Sequence, residues 1–170
     1  NSDAIMIARG DLGVELPLER IPRIQKMIIN KCQLSGKVSI VATEMMSSMT
    51  STVRPTRAEV SDVANAVLEG VDAVMLSGET TIGKYPEETL SVMSKIIESA
   101  EMDQNYFEFL DKTMRSEKVD TTGSVAHSSV ECAARLKCKA IVTPTISGYT
   151  ARKISRFRPT CPIIAICPNI

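Results

Sequence analysis

A chain of 170 residues is long enough for one domain with a real core, or for one domain and part of another. Its twenty basic residues balance twenty acidic ones, which leaves no electrostatic case for a nucleic-acid or membrane partner; no apolar run approaches bilayer length and no signal peptide opens the sequence. The five cysteines, Cys32, Cys132, Cys138, Cys161 and Cys167, are odd in number and lack a CxxC pair, so they read as reduced thiols of a cytosolic protein and not as a disulfide frame or zinc site. Tryptophan is absent, and the core must be aliphatic, with nine methionines filling its gaps.

The first predicted element is a strand. Ile5 to Ala8 is an apolar run short enough to be buried on both faces, and it passes at once into Arg9, Gly10, Asp11, Leu12 and Gly13. Gly10 and Gly13 allow a tight bend whose peptide N–H groups face an anion, and Asp11 adds the hard oxygen donor that Mg2+ takes; the plainer reading is an ordinary turn. Pro22 suits a first helical turn, and Ile21, Ile24, Met27, Ile28 and Cys32 recur at helical spacing until Gly36 ends the run. A second strand, Val38 to Thr43, ends in Thr43 and Glu44. Thr56 to Glu59 has the form of a capping box, and the helix it opens carries Val60, Val63, Ala64, Val67 and Leu68 on one face, with Gly70 in the place of a left-handed cap. A third strand, Ala73 to Leu76, runs into Ser77, Gly78, Glu79 and Thr80, and Pro86 starts a helix with Leu90, Met93, Ile96 and Ile97 inward.

Strand, polar loop with a carboxylate, and amphipathic helix thus appear three times at a period of roughly 35 residues, which suits a (β/α)8 barrel of about 250 residues. Three units cannot close such a barrel. In that fold the loops after the strands carry the chemistry, so Asp11, Thr43, Glu44, Ser77 and Glu79 face one pocket; a doubly wound open sheet also puts them along one edge. From Gln104 to Thr122 a charged connector follows, partly helical around Tyr106 to Met114. The rhythm then resumes with a helix from about Ser124 to Leu136, a strand Ala140 to Val142, a helix near Ala151 to Phe157 and a strand Ile163 to Cys167, the start of a second domain. The expected division is therefore 1–104 and 105–170. The loop Thr143 to Thr150, TPTISGYT, offers hydroxyls and Gly148 ahead of a helix carrying Arg152 and Lys153; it reads as a phosphate site or as a simple helix cap. Both ends of the chain are abrupt, as in a piece of something larger.

The strings IMIARGDLGVEL, VATEMMSSM, RPTRAEVSDVANAVLEGVDAVMLSGET and TISGYTARKISRFRP resemble, in order and spacing, the pyruvate kinase family. The resemblance covers nearly the whole chain and implies the last three βα units of a TIM barrel followed by the first part of a C-terminal regulatory α/β domain. It implies phosphoryl transfer from phosphoenolpyruvate to ADP, giving pyruvate and ATP in glycolysis, with Mg2+ or Mn2+ and K+, in a cytoplasmic homo-tetramer. By the same resemblance, backbone around Ala8, Arg9 and Gly10 holds the substrate carboxylate and Asp11 is one of two carboxylates on the divalent metal. Thr43 sits beside the enolate carbon, and Ser77 and Glu79 belong to the network that protonates it. Thr145, Ser147, Gly148 and Thr150 match an effector loop for a sugar phosphate or nucleotide, although Ile146 and Tyr149 stand where some members place basic residues. Glu44 stands where glutamine is more common, adding negative charge near the pocket. The family's catalytic lysine, its other metal carboxylate, its K+ ligands and its lid domain lie on earlier segments, so the fragment alone is expected to be inactive.

Other readings fit less of the sequence. Arg9, Gly10 and Asp11 spell a cell-adhesion tripeptide, but in a chain with reduced cysteines they are tied to a buried strand. His127, beside Ala126 and Val130, has a structural or surface role, and Arg54 to Glu59 is mainly a helix start that in the family also meets another subunit. A different barrel enzyme acting on metal-bound enolates has no reason to carry the TRAE, SGET and TISGYT strings together. The alternative from another class is a non-catalytic module that binds a sugar phosphate or a partner through the second domain.

Overall fold

A computed structural model describes residues 2–103, 110 and 120–168. The chain divides into two compact units, Asn1–Gln104 and Asn105–Ile170. Both are α/β. The first contains β1 (Ala4–Ala8), α1 (Arg9–Glu15), a 3-10 turn (Leu18–Arg20), α2 (Ile21–Ser35), β2 (Val38–Ala42), a second 3-10 turn (Ser47–Thr50), α3 (Arg57–Leu68), β3 (Ala73–Met75), α4 (Gly78–Thr81) and α5 (Pro86–Asp103). Its strands form one parallel sheet in the order β1-β2-β3. Ala8 pairs with Ala42 and Ala42 with Met75, so the three strands end level with one another.

Alternation along the strands decides where the core lies. Ile7, Val41 and Val74 stand in register on one face and pack with Ile29 of α2, Val63 and Ala66 of α3, Met93 of α5 and the loop residues Met45, Met46 and Met49. Each fully buried aliphatic or methionine side chain there contributes about 1.5–3 kcal/mol. The opposite face stays open: Met6 is 54% and Val38 45% exposed, and Ala4 and Ala73 are exposed beside them. Beyond Ala42, which is fully buried at the carboxyl end of that face, the strands are therefore covered on one face and not on both, although their unbroken apolar runs suggest burial on both.

Local chemistry accounts for the helix ends. Gly36 closes α2 in the left-handed region (φ 63°), and the Lys37 N–H reaches back to the Cys32 carbonyl. Thr56 and Glu59 form a reciprocal capping box on α3, and Gly70 follows that helix at φ 88°. Within the helices, however, Met27, Val60, Leu68 and Leu90 are exposed, while Ile29 and Ala66 take the inward positions. The largest departure is the segment after β1. Arg9–Glu15 is a helix and not a glycine bend, and neither Gly10 nor Gly13 has a positive φ. Gly13 packs closely, since a Cβ there would lie 3.2 Å from a Leu18 methyl and 3.5 Å from one of Ile21. The segment after β3 is likewise the short helix α4.

The second unit contains α6 (Thr121–Arg135), β4 (Ile141–Pro144), α7 (Tyr149–Ser155) and β5 (Ile163–Ile166), with β4 and β5 parallel. Leu110, Ala126, Val130, Ile154 and Phe157 form its core, and His127 meets Phe157 edge-on with ring centroids 5.5 Å apart. Asp120 caps α6 by accepting the Gly123 N–H, which moves the start of that helix ahead of the expected Ser124. α7 begins and ends two residues before the expected Ala151 to Phe157, since the left-handed Gly148 (φ 76°) precedes its first turn. Most of the expected connector, including all of its helical part but Leu110, lies outside the described residues. All five cysteines are free. Among the described residues no helix is long and apolar enough to cross a membrane.

Candidate active site

Because β1, β2 and β3 end in register, Arg9 to Asp11, Thr43 to Glu44 and Leu76 to Glu79 all leave the sheet along its carboxyl edge, where parallel sheets place their ligands. The closest contact among the expected site residues joins the first two strands. The Gly10 N–H donates to Thr43 Oγ1 at 2.7 Å, and the Thr43 hydroxyl donates to the Ala42 carbonyl at 2.6 Å. Gly10 thus does not aim a free N–H outward; an incoming carboxylate that takes it displaces the threonine oxygen. A Cβ on Gly10 would stand 3.5 Å from that oxygen, in ordinary contact with the Thr43 side chain.

Thr43 (φ 69°) and Glu44 (φ 54°) both occupy the left-handed region. For a β-branched residue such as Thr43 this is a strained conformation costing roughly 1–3 kcal/mol, and it persists only where the surroundings over-determine it. Arg9 supplies that constraint. Its Nε (3.2 Å) and Nη2 (2.8 Å) donate to the Thr43 carbonyl, Nη2 also donates to the Glu44 carbonyl at 2.9 Å, and Nη1 pairs with Asp62 of α3. Further along the same loop the Glu79 carboxylate, 3% exposed, accepts the Met46 N–H at 3.0 Å and the Ser77 N–H at 2.8 Å, tying the loop after β2 to the start of α4. Glu59 accepts from the Ser48 N–H (2.7 Å) and hydroxyl and from the Thr56 N–H (2.7 Å). Partial burial pushes its carboxyl up, but the hydrogen bonds from Ser48 and then Thr56 outweigh that and hold it below the usual carboxylate range.

The structure thus joins Gly10 to Thr43 and Ser77 to Glu79. Asp11 lies exposed in the first turn of α1, on the same edge. Among the described residues no group of three His, Cys, Asp or Glu side chains could hold a metal ion. Asp11 is a hard oxygen donor of the kind that Mg2+ takes, but a single carboxylate is not by itself a metal site. A cleft of about 440 Å³ opens beside the site; Arg9, Gly10, Glu44 and Asp62 line it, whereas Asp11, Thr43, Ser77 and Glu79 do not. Reading the sequence alone overlooks Asp62 and the Arg9 side chain, whose contacts span 34 to 53 residues and leave no local pattern. It also takes Glu59 as a helix cap only, although the same carboxylate anchors the loop.

In the second unit, Thr145, Ser147, Gly148 and Thr150 lie on one loop before α7 but differ in access. Thr145 is buried with its N–H donated to the Ile166 carbonyl, Ser147 is exposed with its carbonyl taken by Arg152, and Thr150 lines a groove of about 310 Å³ with Thr121, Ala126, Thr143 and Ile154.

Comparison with known proteins identifies the family. Residues 1–90 match the family model described as pyruvate kinase, barrel domain, and residues 123–170 match pyruvate kinase, alpha/beta domain. The pyruvate kinase of Clostridium acetobutylicum is 49% identical over 168 residues, covering 99% of this chain and 36% of that protein. The pyruvate kinase of Bacillus licheniformis is 48% identical over 168 residues, covering 99% of this chain and 29% of that protein. A crystal structure of a pyruvate kinase from Cryptosporidium parvum matches with a TM-score of 0.91 at 46% identity, over 99% of this chain and 34% of that one. The chain spans about a third of the length of these relatives. With the barrel-domain model alone matching more than half of its residues, the chain belongs to the pyruvate kinase family.

Proposed function

We propose that this chain is part of an enzyme that transfers the phosphoryl group of phosphoenolpyruvate to ADP, and that residues 1–104 are the last three βα units of its (β/α)8 barrel. Residues 105–170 are then the first part of its regulatory C-terminal domain. The observation that carries the reading is the Gly10 to Thr43 contact on the level carboxyl edge of a parallel sheet, with Asp11 one residue away. The open apolar sheet face around Met6 and Val38 supports a barrel interior that other strands complete.

In this reading the backbone at Ala8, Arg9 and Gly10 binds the substrate carboxylate, and the hydroxyl that it displaces from Gly10 is the one that meets the substrate beside its enolate carbon. Thr43 and the bound anion thus exchange partners at one N–H. Ser77 joins the proton network; Glu79, with both oxygens on backbone amides, holds Ser77 and Met46 in place. A divalent cation such as Mg2+ or Mn2+, held through Asp11 and ligands outside this chain, supplies the positive charge that phosphoryl transfer needs. K+ has its ligands elsewhere, and the whole enzyme is a cytoplasmic homo-tetramer. The loop containing Thr145, Ser147, Gly148 and Thr150 binds a phosphorylated effector, either a sugar phosphate or a nucleotide.

The test is made on the full-length enzyme carrying this segment, in an assay coupling pyruvate release to a dehydrogenase. Asp11→Asn removes the metal carboxylate while keeping the side chain's shape. Turnover should fall at least a hundredfold and recover in part at raised Mg2+ or Mn2+; a variant that turns over phosphoenolpyruvate as the wild type does excludes the assignment.

A further inference from the structure

We infer that the Arg9 side chain is a positioning residue that holds Thr43 in the one backbone conformation from which its hydroxyl meets the substrate. The inference rests on the proposed phosphoryl-transfer reading and adds to it a role for a side chain whose backbone alone was implicated there. Thr43 is β-branched and lies at φ 69°, a conformation it leaves unless something holds its carbonyl. Two nitrogens of the Arg9 guanidinium grip that carbonyl, the same fork takes the next carbonyl at Glu44, and its remaining nitrogen is oriented by Asp62. The Arg9 side chain is only 11% exposed, so these charge-assisted bonds face little competition from water. A planar fork can satisfy three acceptors in fixed directions at once, whereas a lysine ammonium on a flexible stem cannot. Arg9 reaches the reaction through Thr43 and not by touching the reacting atoms.

Four variants of the full-length enzyme test this: Arg9→Met, Arg9→Lys, Asp62→Asn, and Arg9→Met combined with Thr43→Ala. Arg9→Met should lower kcat roughly ten- to hundredfold, the scale of losing about an ångström of alignment, with KM for ADP unchanged. Arg9→Lys should restore little of that loss, and Asp62→Asn should lower kcat in the same direction by less. Once Thr43→Ala has removed the hydroxyl, Arg9→Met should cost nothing further in kcat. Full multiplication of the two losses would mean that Arg9 acts independently of Thr43 and would overturn the inference, as would an unchanged kcat in Arg9→Met. Amide hydrogen exchange across Thr43–Met46 gives a second readout that does not depend on turnover: it should accelerate in Arg9→Met, and unchanged protection there also overturns the inference. The wild-type rate with phosphoenolpyruvate and ADP separately decides the functional reading on which this rests.

Discussion

Glu59 shows how one carboxylate can serve a helix and a loop together. It completes the capping box with Thr56 and, eleven residues back in sequence, holds Ser48 in the loop after β2. Those bonds stabilise the ionised form, so the folded carboxyl titrates below its unfolded value of about 4.3. The sign follows from linkage. Above the unfolded value the folded state gains stability from this group, and the gain disappears as pH falls from there through the folded value, where both states are protonated. A Glu59→Gln variant should therefore be less stable than the wild type at pH 7 by about 1–2 kcal/mol, the strength of charge-assisted bonds discounted for partial exposure. The difference should shrink steadily below about pH 4.3. Urea midpoints of both proteins across that range measure it, and a gap that stays constant down to acid pH would show that the charge is not what matters. Thr43 poses the opposite case at the same scale: its sequence context, the end of an apolar strand, gives no hint of a left-handed backbone, because the strain is imposed by Arg9 from another strand end.

The elements divide into those whose cause is local and those whose cause is not. Helices α2, α3 and α5 were readable because each spans several turns of apolar spacing with a proline, capping box or glycine at an end. The short helices α1 and α4 carry the sequence marks of loops, since seven and four residues are too few to show a period and their glycines argue against helix. What makes them helical is packing. Leu12 of α1 sits against the core, and α4 is closed by Gly83, whose N–H donates to the Gly78 carbonyl at 2.9 Å. Gly83 comes so near the chain that a Cβ there would lie 2.2 Å from the Glu79 carbonyl oxygen. Backbone cannot swing aside as a side chain can, so Gly83→Ala should unwind or shift α4 and drag Glu79 off the Met46 and Ser77 amides. The expected cost is roughly 1–3 kcal/mol, the range for overpacking a tight site. Thermal unfolding measures the stability, and faster amide exchange at Met46 and Ser77 reports the displaced carboxylate; a stable variant with both amides still protected would refute this account of α4.

For the whole molecule, the candidate site was legible as a set of strand-end residues, because any parallel βα repeat gathers its strand ends on one edge. Its internal wiring was not, since Arg9, Asp62 and Glu79 act across more than thirty residues of sequence. That wiring bears on what this chain can do by itself. Phosphoryl transfer depends on concentrated positive charge around the transferring group. At this edge the Arg9 guanidinium is already spent on Thr43, Glu44 and Asp62, and Asp11, the proposed metal carboxylate, is a single donor where the described residues offer no group of three. The sheet face bearing Met6 and Val38 is uncovered as well, so the 170-residue chain in isolation should expose apolar surface. Two results are expected of the isolated polypeptide. It should bind a hydrophobic dye such as ANS more strongly than the full-length enzyme does, mole for mole. It should also show no Mg2+-dependent pyruvate formation in the coupled assay at enzyme concentrations where the full-length protein saturates the signal. Turnover by the fragment that rises with Mg2+ would mean that the charge for the reaction is assembled within these residues, and the division of labour argued from Arg9 and Asp11 would have to be abandoned.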